Sequence, residues 1–343
     1  MGQSPSSKNY TDNPNDWILI QGNADLKNGK VTPRLYTSQV TKKADIGDII
    51  LTVRAPVGEV AITDYKAILG RGVASIKGNL FIYFALEKFK TNNKWNMYSS
   101  GSTFDSITGK DLNNLALFFP SKMEENKIGK LLNKLDSLLA LYERELKLLS
   151  QVKKYFLDNL FAEKEYPNLR FKGFTDAWEQ RKLGEIGKII AGGDKDSKKL
   201  RKKGKYPVLA NNLENNGIIG YYKNNYKIEA PAITVTARGN IGNAIARFTN
   251  FTPVVRLLVL KTNLDVKFIE QSINNINFFI ESTGVPQLTV PQLASYSIFI
   301  PKKFEQHKIG SLFKFIDNIV ALYENKQQHL TEIKKTLLNT MFI

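Results

Sequence analysis

The chain has 343 residues, 42% of them hydrophobic and none a cysteine, with a formal net charge of +17. That length suggests two domains or slightly more, and the apolar share excludes a disordered chain. No apolar run is long enough to span a bilayer, no cationic start leads into a cleavable apolar stretch, and the absent thiols exclude disulfides and thiolate metal sites, so a cytoplasmic location is expected. The positive excess points to a polyanionic partner, most often nucleic acid.

In chain order, residues 2–10 (GQSPSSKNY) are a hydroxyl-rich loop carrying Lys8. Residues 48–62 (DIILTVRAPVGEVAI) read as a β-branched strand, Arg54, a proline- and glycine-containing turn, and a second strand. Residues 100–120 give a polar loop with Ser102 and Thr103, a short turn or helix, then an alternation through Leu115, Leu117 and Phe119 that predicts a strand ending at Pro120. In residues 120–161 apolar side chains fall at Ile128, Leu132, Leu135, Leu139, Tyr142, Leu146, Leu149, Val152, Phe156 and Leu160. Steps of three or four make one stripe along a helix, which from Glu124 to Phe161 would be roughly 57 Å long at 1.5 Å per residue.

Residues 162–178 link this half to the next. Residues 195–205 (KDSKKLRKKGK) put Lys195, Lys198, Lys199, Arg201, Lys202, Lys203 and Lys205 into one loop with a single acid, and Asn211 and Asn212 follow. Residues 231–245 (PAITVTARGNIGNAI) repeat the strand–arginine–turn–glycine order, with Arg238 in the place of Arg54. Residues 281–301 repeat the polar loop, now with Thr283 and Gln287, and the strand, now through Tyr296, Ile298 and Ile300. Residues 301–342 align without a gap on residues 120–161. Their stripe runs Ile309, Phe313, Ile316, Val320, Tyr323, Gln327, Leu330, Ile333, Leu337 and Met341, with one polar interruption at Gln327.

The repeat sets the architecture. An α+β fold follows, with two mixed α/β globules, each succeeded by one long helix. The expected boundaries are residues 1–120, 121–164, 165–300 and 301–343. The two helices are expected to pair with each other through Ile128, Leu135, Leu139, Tyr142, Leu149 and Phe156 on one side and Ile309, Ile316, Val320, Tyr323, Leu330 and Leu337 on the other. The basic loop suits phosphate contacts, which give affinity without reading sequence. Arg54 and Arg238 suit a bidentate guanine contact or a phosphate clamp, and equally a structural salt bridge. Lys8, Ser102, Thr103, Asn211, Asn212, Thr283 and Gln287 are candidates by residue type alone.

Catalytic motifs are sparse. There is no Pro-Pro-aromatic turn, no GxGxxG cofactor fingerprint and no GxxxxGK[ST] phosphate loop. His307 and His329 lie on the second long helix without a clustered second ligand type, so solvent exposure is expected and no metal. Acid-x-Lys pairs at Glu145/Lys147, Asp265/Lys267 and Glu332/Lys334 echo nucleases, but two of them fall on the long helices, where acids and bases alternate on a wet face.

The paired KIG…LD…LALYE segments (residues 127–143 and 308–324), WEQRKLGEI (178–186), the GQSPSS start, and the strand–Arg–turn–Gly elements at Arg54/Gly58 and Arg238/Gly242 together resemble the specificity subunit of type I restriction-modification systems. The resemblance spans essentially the whole chain. It implies that each globule is a target recognition domain reading one half of a split double-stranded DNA site. It further implies that the two helices pack antiparallel as a spacer, with a pseudo-twofold repeat. The chain would be non-catalytic, recruiting two methyltransferase subunits and, through them, restriction/translocase subunits. S-adenosylmethionine, Mg and ATP would be expected only in those partners. The rival readings are a DNA-binding coiled-coil scaffold unrelated to restriction and a stand-alone nuclease. One departure stands out: residues 171–190 (FKGFTDAWEQRKLGEIGKII) have no counterpart ahead of the first globule, so its first strand and turn are expected to be missing.

Overall fold

The computed structural model describes residues 1–97, 106–161, 164–279 and 284–342. Two compact units divide the chain: Met1–Glu145 with Glu324–Ile343, and Leu146–Tyr323. The long helices are not bodies of their own, because each contributes one part to each unit.

In the first unit, β1 (Ile49–Thr52) is flanked by β2 (Val60–Ile62) and β3 (Val73–Ile76), both antiparallel to it. All four β1 residues are buried. Alternate side chains serve different cores, as the strand period of two requires. Ile49 and Leu51 pack beneath α1 (Leu80–Thr91). Ile50 packs with Ile20, Ala67 and Leu69 of a second sheet, in which Trp17–Ile20 runs parallel to Ala67–Leu69. Asn79 starts α1 by accepting a hydrogen bond from Ile82 N. The helix α2 (Lys122–Leu160) follows.

The second unit repeats this plan and adds to it. Its strands are β4 (Glu179–Lys182), β5 (Gly187–Ala191), β6 (Ala232–Thr236), β7 (Ala244–Arg247) and β8 (Leu257–Thr262). Then come α3 (Val266–Asn274), β9 (Ser297–Ile300) and α4 (Lys303–Met341). The sheet order is β5-β8-β6-β7, and β4 pairs with β9. The triplets β1, β2, β3 and β6, β7, β8 have the same pairing, and Asp265 caps α3 as Asn79 caps α1. Among the described residues, β4 and β5 have no counterpart in the first unit. The strand expected through residues 115–119 does not form there, whereas its match β9 does. The physical reason is the partner: without a neighbouring strand the backbone donors and acceptors have no ladder to join.

Helix pairing is visible in each unit. In the first, Ile128, Leu132 and Leu135 of α2 share a core with Leu337, Leu338 and Met341 of α4 under Phe81 and Phe84. In the second, Phe156, Leu157 and Leu160 share a core with Ile309, Leu312 and Phe313 beside Phe268. The start of α2 thus meets the end of α4, and the end of α2 the start of α4, so the helices are antiparallel. Ile316 is also buried, while Leu139, Tyr142, Leu149, Val320, Tyr323 and Leu330 are only half-buried. Val152 departs from the expected stripe: it is 43% exposed. Its neighbour Lys153 takes the inward position, with Nζ 2.7 Å from Asp317 Oδ1. The matching lysine of the other copy, Lys334, lies 2.6 Å from Asp136 Oδ1 and 2.7 Å from Glu87 Oε1 of α1. Asp136 and Asp317 are matching positions too, so the repeat makes the same ion pair twice with the roles of the copies exchanged.

Burial works against charge at these pairs, and the sign differs by group. Burial opposes the Lys334 ammonium, but Glu87 and Asp136 hold its pKa above the ordinary lysine range. Glu87 itself is pushed up by burial despite Lys334. Asp317 is resisted by burial too, yet hydrogen bonds from Lys153 and Lys267 hold it below the usual carboxylate range.

Candidate nucleic-acid interface

The two arginine turns are built alike. After β1, Thr52 Oγ1 donates to Pro56 O (2.8 Å) and accepts from Glu59 N (2.9 Å). After β6, Thr236 Oγ1 donates to Asn240 O and accepts from Asn243 N (3.0 Å). Each turn closes on a left-handed glycine, Gly58 (φ 90) and Gly242 (φ 82). A Cβ there would lie 2.2 Å from Trp95 Cδ1 or 2.3 Å from Phe278 Cδ2, so no other residue fits without displacing the ring. Both arginines are then fixed by a bridge to a distant loop: Arg54 to Ser106 and Arg238 to Gln287. Ile107 N donates to Val53 O (2.9 Å), and Leu288 N to Ala237 O (2.8 Å), beside these bridges.

The second unit therefore brings Arg238, Gln287 and Asn211 together. Asn211 Oδ1 accepts from Ala237 N (2.6 Å), and its Nδ2 donates to Arg238 O (2.8 Å). Asn211 is spent on holding the arginine backbone, beside a half-buried Arg238 and an exposed Gln287. Asn212 is exposed beside it. In the first unit Arg54 is exposed and bridged by Ser106, a residue that residue type and pattern did not single out. The signal was available, since Ser106 and Gln287 stand at the spacing that relates Pro120 to Pro301. Ser102, Thr103 and Thr283 lie outside the described residues. Lys8 is exposed on the short turn Ser7–Asn9, with Asn9 Nδ2 donating to Gln39 Oε1 (2.7 Å).

The basic loop is ordered by its one acid and its one arginine. Asp196 Oδ1 accepts from Lys198 N (3.0 Å), and its Oδ2 lies 3.1 Å from Lys199 Nζ. The Lys199 hydrogen bond holds the Asp196 carboxyl below its ordinary range. The Arg201 backbone pairs with Tyr221, and its guanidinium donates to Lys198 O (3.0 Å). Lys205 sits 5.2 Å from the centre of the Tyr206 ring. Lys195, Lys198, Lys202 and Lys203 are left exposed, with no acidic partner among the described residues. Lys199, Arg201 and Lys203 line one concave surface with Tyr222, Lys223 and Asn224. Lys223 and Asn224 were not singled out from sequence, because only the strand Ile218–Tyr222 carries them back to the loop. Four cations around a tyrosine and an asparagine side chain suit a phosphate backbone.

Two of the three nuclease-like pairs are committed elsewhere. Asp265 caps α3 and accepts from Phe268 N (2.9 Å). Lys267 lies within 2.6 Å of Glu270 and also pairs with Asp317. Lys334, expected on a wet face, is instead turned inward to Glu87 and Asp136, because the seam of α4 needs a cation opposite those carboxylates. Glu145 stays half-buried without an ion pair among the described residues. His329 is exposed, and His307 Nδ1 lies 3.0 Å from Asp265 Oδ2 while the ring stays open to solvent. Among the described residues no cluster of three or more His, Cys, Asp or Glu could hold a metal. None of their helices is long and apolar enough to cross a membrane.

The profile of the family described as type I restriction modification DNA specificity domain matches residues 1–151 and again residues 175–332. The chain belongs to this family. Each specificity domain contains one arginine turn and the start of one long helix. A Methanocaldococcus jannaschii protein bearing the name of a type I restriction enzyme specificity subunit is 34% identical over 170 residues, 48% of this chain and 40% of that protein. A Mycoplasma pneumoniae protein named as a type I specificity subunit is 31% identical over 185 residues, 50% of this chain and 55% of its own. The matched stretch thus spans about half the length of these curated relatives. The fold is similar to the crystal structure of the S subunit of a type I restriction-modification system from M. genitalium. The TM-score is 0.74 at 18% identity, covering 100% of this chain and 92% of that one. A chain from a structure of type I R-M complex assembly has TM-score 0.52 at 16% identity, covering 94% and 90%.

Proposed function

We propose that the chain is the DNA-reading subunit of a type I restriction-modification complex. Each specificity domain reads one half of a split double-stranded site, through the loops around Arg54 in the first unit and around Arg238 in the second. The observation that carries this is the repeat itself: one scaffold, with the same threonine–arginine–glycine turn, presents Ser106 in one unit and Gln287 in the other. Different polar groups on identical supports are what reading two different sequences requires. The basic loop adds phosphate contacts to the second half.

The helix pair is the part shared by both halves, and its pseudo-twofold seam suits two copies of one partner. That partner is a methyltransferase subunit, through which restriction/translocase subunits join. S-adenosylmethionine, Mg and ATP belong to those subunits, and this chain does not itself cut or methylate. The test is to express the chain with its methyltransferase in a host lacking other modification and to map the methylated bases. A split, asymmetric motif supports the reading. No new modification, or cleavage of plasmid DNA by the isolated chain with magnesium, refutes it.

A further inference from the structure

A second turn is built twice, at the end of the sheet where Arg54 and Arg238 stand. In the first unit it is residues 70–72, between the strand Ala67–Leu69 and β3. In the second it is residues 254–256, between the strand Thr252–Pro253 and β8. Backbone pairing fixes the correspondence. Thr52 faces Val73, as Thr236 faces Leu257. Gly70 N donates to Ile20 O (2.7 Å), as Val254 N donates to Leu209 O (2.8 Å). Val73 N donates back to Gly70 O (3.3 Å), as Leu257 N does to Val254 O (3.1 Å). The turn therefore lies across the sheet from Val53 and Arg54 in one unit, and from Ala237 and Arg238 in the other.

Each turn carries one arginine, at adjacent positions: Arg71 in the first unit and Arg256 in the second. Position 72 cannot carry it, because a Cβ on Gly72 would lie 2.1 Å from Gln21 O. The residue that matches Gly72 is Arg256, and it is left-handed (φ 72). Every other non-glycine residue with positive φ among the described residues is an asparagine, which tolerates that region. A long side chain there costs energy that glycine or asparagine would avoid. Both arginines are exposed, and among the described residues neither guanidinium has an ion pair or a hydrogen bond. Folding therefore does not account for the choice of arginine at position 256.

The surroundings point to an anion. Arg71 N donates to Ser4 Oγ (3.0 Å), which sets this turn against the loop that carries Lys8. Val255 N donates to Gly193 O (3.0 Å), which sets its match against the loop that carries Lys195 and Lys198. A guanidinium with all its donors free, between a cationic loop and a second arginine, suits a phosphate. We propose that Arg71 and Arg256 are phosphate clamps, one in each half, that hold the DNA backbone beside the base pair addressed by Arg54 or Arg238. This rests on the reading of the chain as a DNA-binding subunit and adds to it a positioning contact in both halves.

The test uses the chain with its methyltransferase. Methylated bases are mapped first, and duplexes with and without the mapped motif are then titrated. Arg71→Ala and Arg256→Ala should each weaken binding to both duplexes about tenfold at low salt. Each should lower the slope of log affinity against log salt by about 0.9 and leave the motif unchanged. Arg256→Gly separates the guanidinium from the fold. Glycine accepts the left-handed backbone, so melting should hold or rise while affinity falls as it does with alanine. Arg256→Lys, which keeps the charge, should restore the slope and part of the affinity. Unchanged affinity and slope in Arg256→Gly would overturn the proposal. So would a lower melting temperature in that variant, or lost discrimination at one base with the slope intact. A split motif together with unaffected variants fails the proposal alone, whereas a wild type that gives no split motif fails the reading and the proposal with it.

Discussion

The two units share a turn, a sheet and a helix cap, and both pair cations with acids, but the second also carries a cation-rich loop that is mostly unpaired among the described residues. In the first, Lys30 pairs with Asp64, Arg34 with Asp25, and Lys77 with Asp45 and Asp48. In the second, the loop of residues 195–205 holds seven cations against one acid, and among the described residues only Lys199 of these pairs with an acid. Selection for folding explains the first arrangement. It does not explain the second, where like charges accumulate on a loop that buries almost nothing. The comparison separates what the repeat preserves, which is support, from what it lets diverge, which is surface.

The support should be the more sensitive to change. Leu132 and Phe313 are fully buried where the helices meet the two cores. Leu132→Ala should cost about 2–5 kcal/mol and Phe313→Ala about 3–5 kcal/mol in denaturant unfolding. Leu139→Ala and Val320→Ala, half-buried along the helices, should cost about 1 kcal/mol each. Equal costs at all four would mean that the helices pack as tightly in their middles as at the cores. On the surface, replacing Lys195, Lys198, Lys202 and Lys203 by alanine should leave melting unchanged and weaken every DNA sequence alike. The slope of log affinity against log salt should fall by about 0.9 for each phosphate that is no longer neutralised. An unchanged slope would remove the loop from the interface. Arg54→Ala and Arg238→Ala should each relax one half-site, by about 1–3 kcal/mol of base discrimination if the arginine grips its base bidentately.

The smallest effect concerns acid. Asp317 has a folded-state pKa below the ordinary 3.8. Its contribution is therefore fully present above that value and is lost as pH falls through the lowered one. The stability difference between the wild type and Asp317→Asn should shrink to nothing in that acidic window. A difference that persists at the lowest pH would mean that Asp317 acts by shape and not by charge.

Much of this was legible in the residues. The duplicated stripe gave both helices and their pairing, and the matched Arg54 and Arg238 gave the two turns, because Thr, Arg and Gly at fixed spacing leave little backbone freedom. The inward turn of Lys153 and Lys334 was not legible. Helical periodicity places Val152 on the stripe about as well as its neighbour, and only the opposing Asp317 decides. Nor was the partnership of Ser106 with Arg54, or of Lys223 with the basic loop, since both depend on strands bringing distant segments together. The strand through residues 115–119 was expected from alternation alone, which says nothing about whether a neighbouring strand exists to pair with it.

The most direct test of independent readers on a common support is to exchange residues 166–301 for the same region of a relative and map the methylated bases with the methyltransferase present. The expected result is a new sequence in one half-site, with the other half-site and the gap between them unchanged. A change in both half-sites would contradict the account.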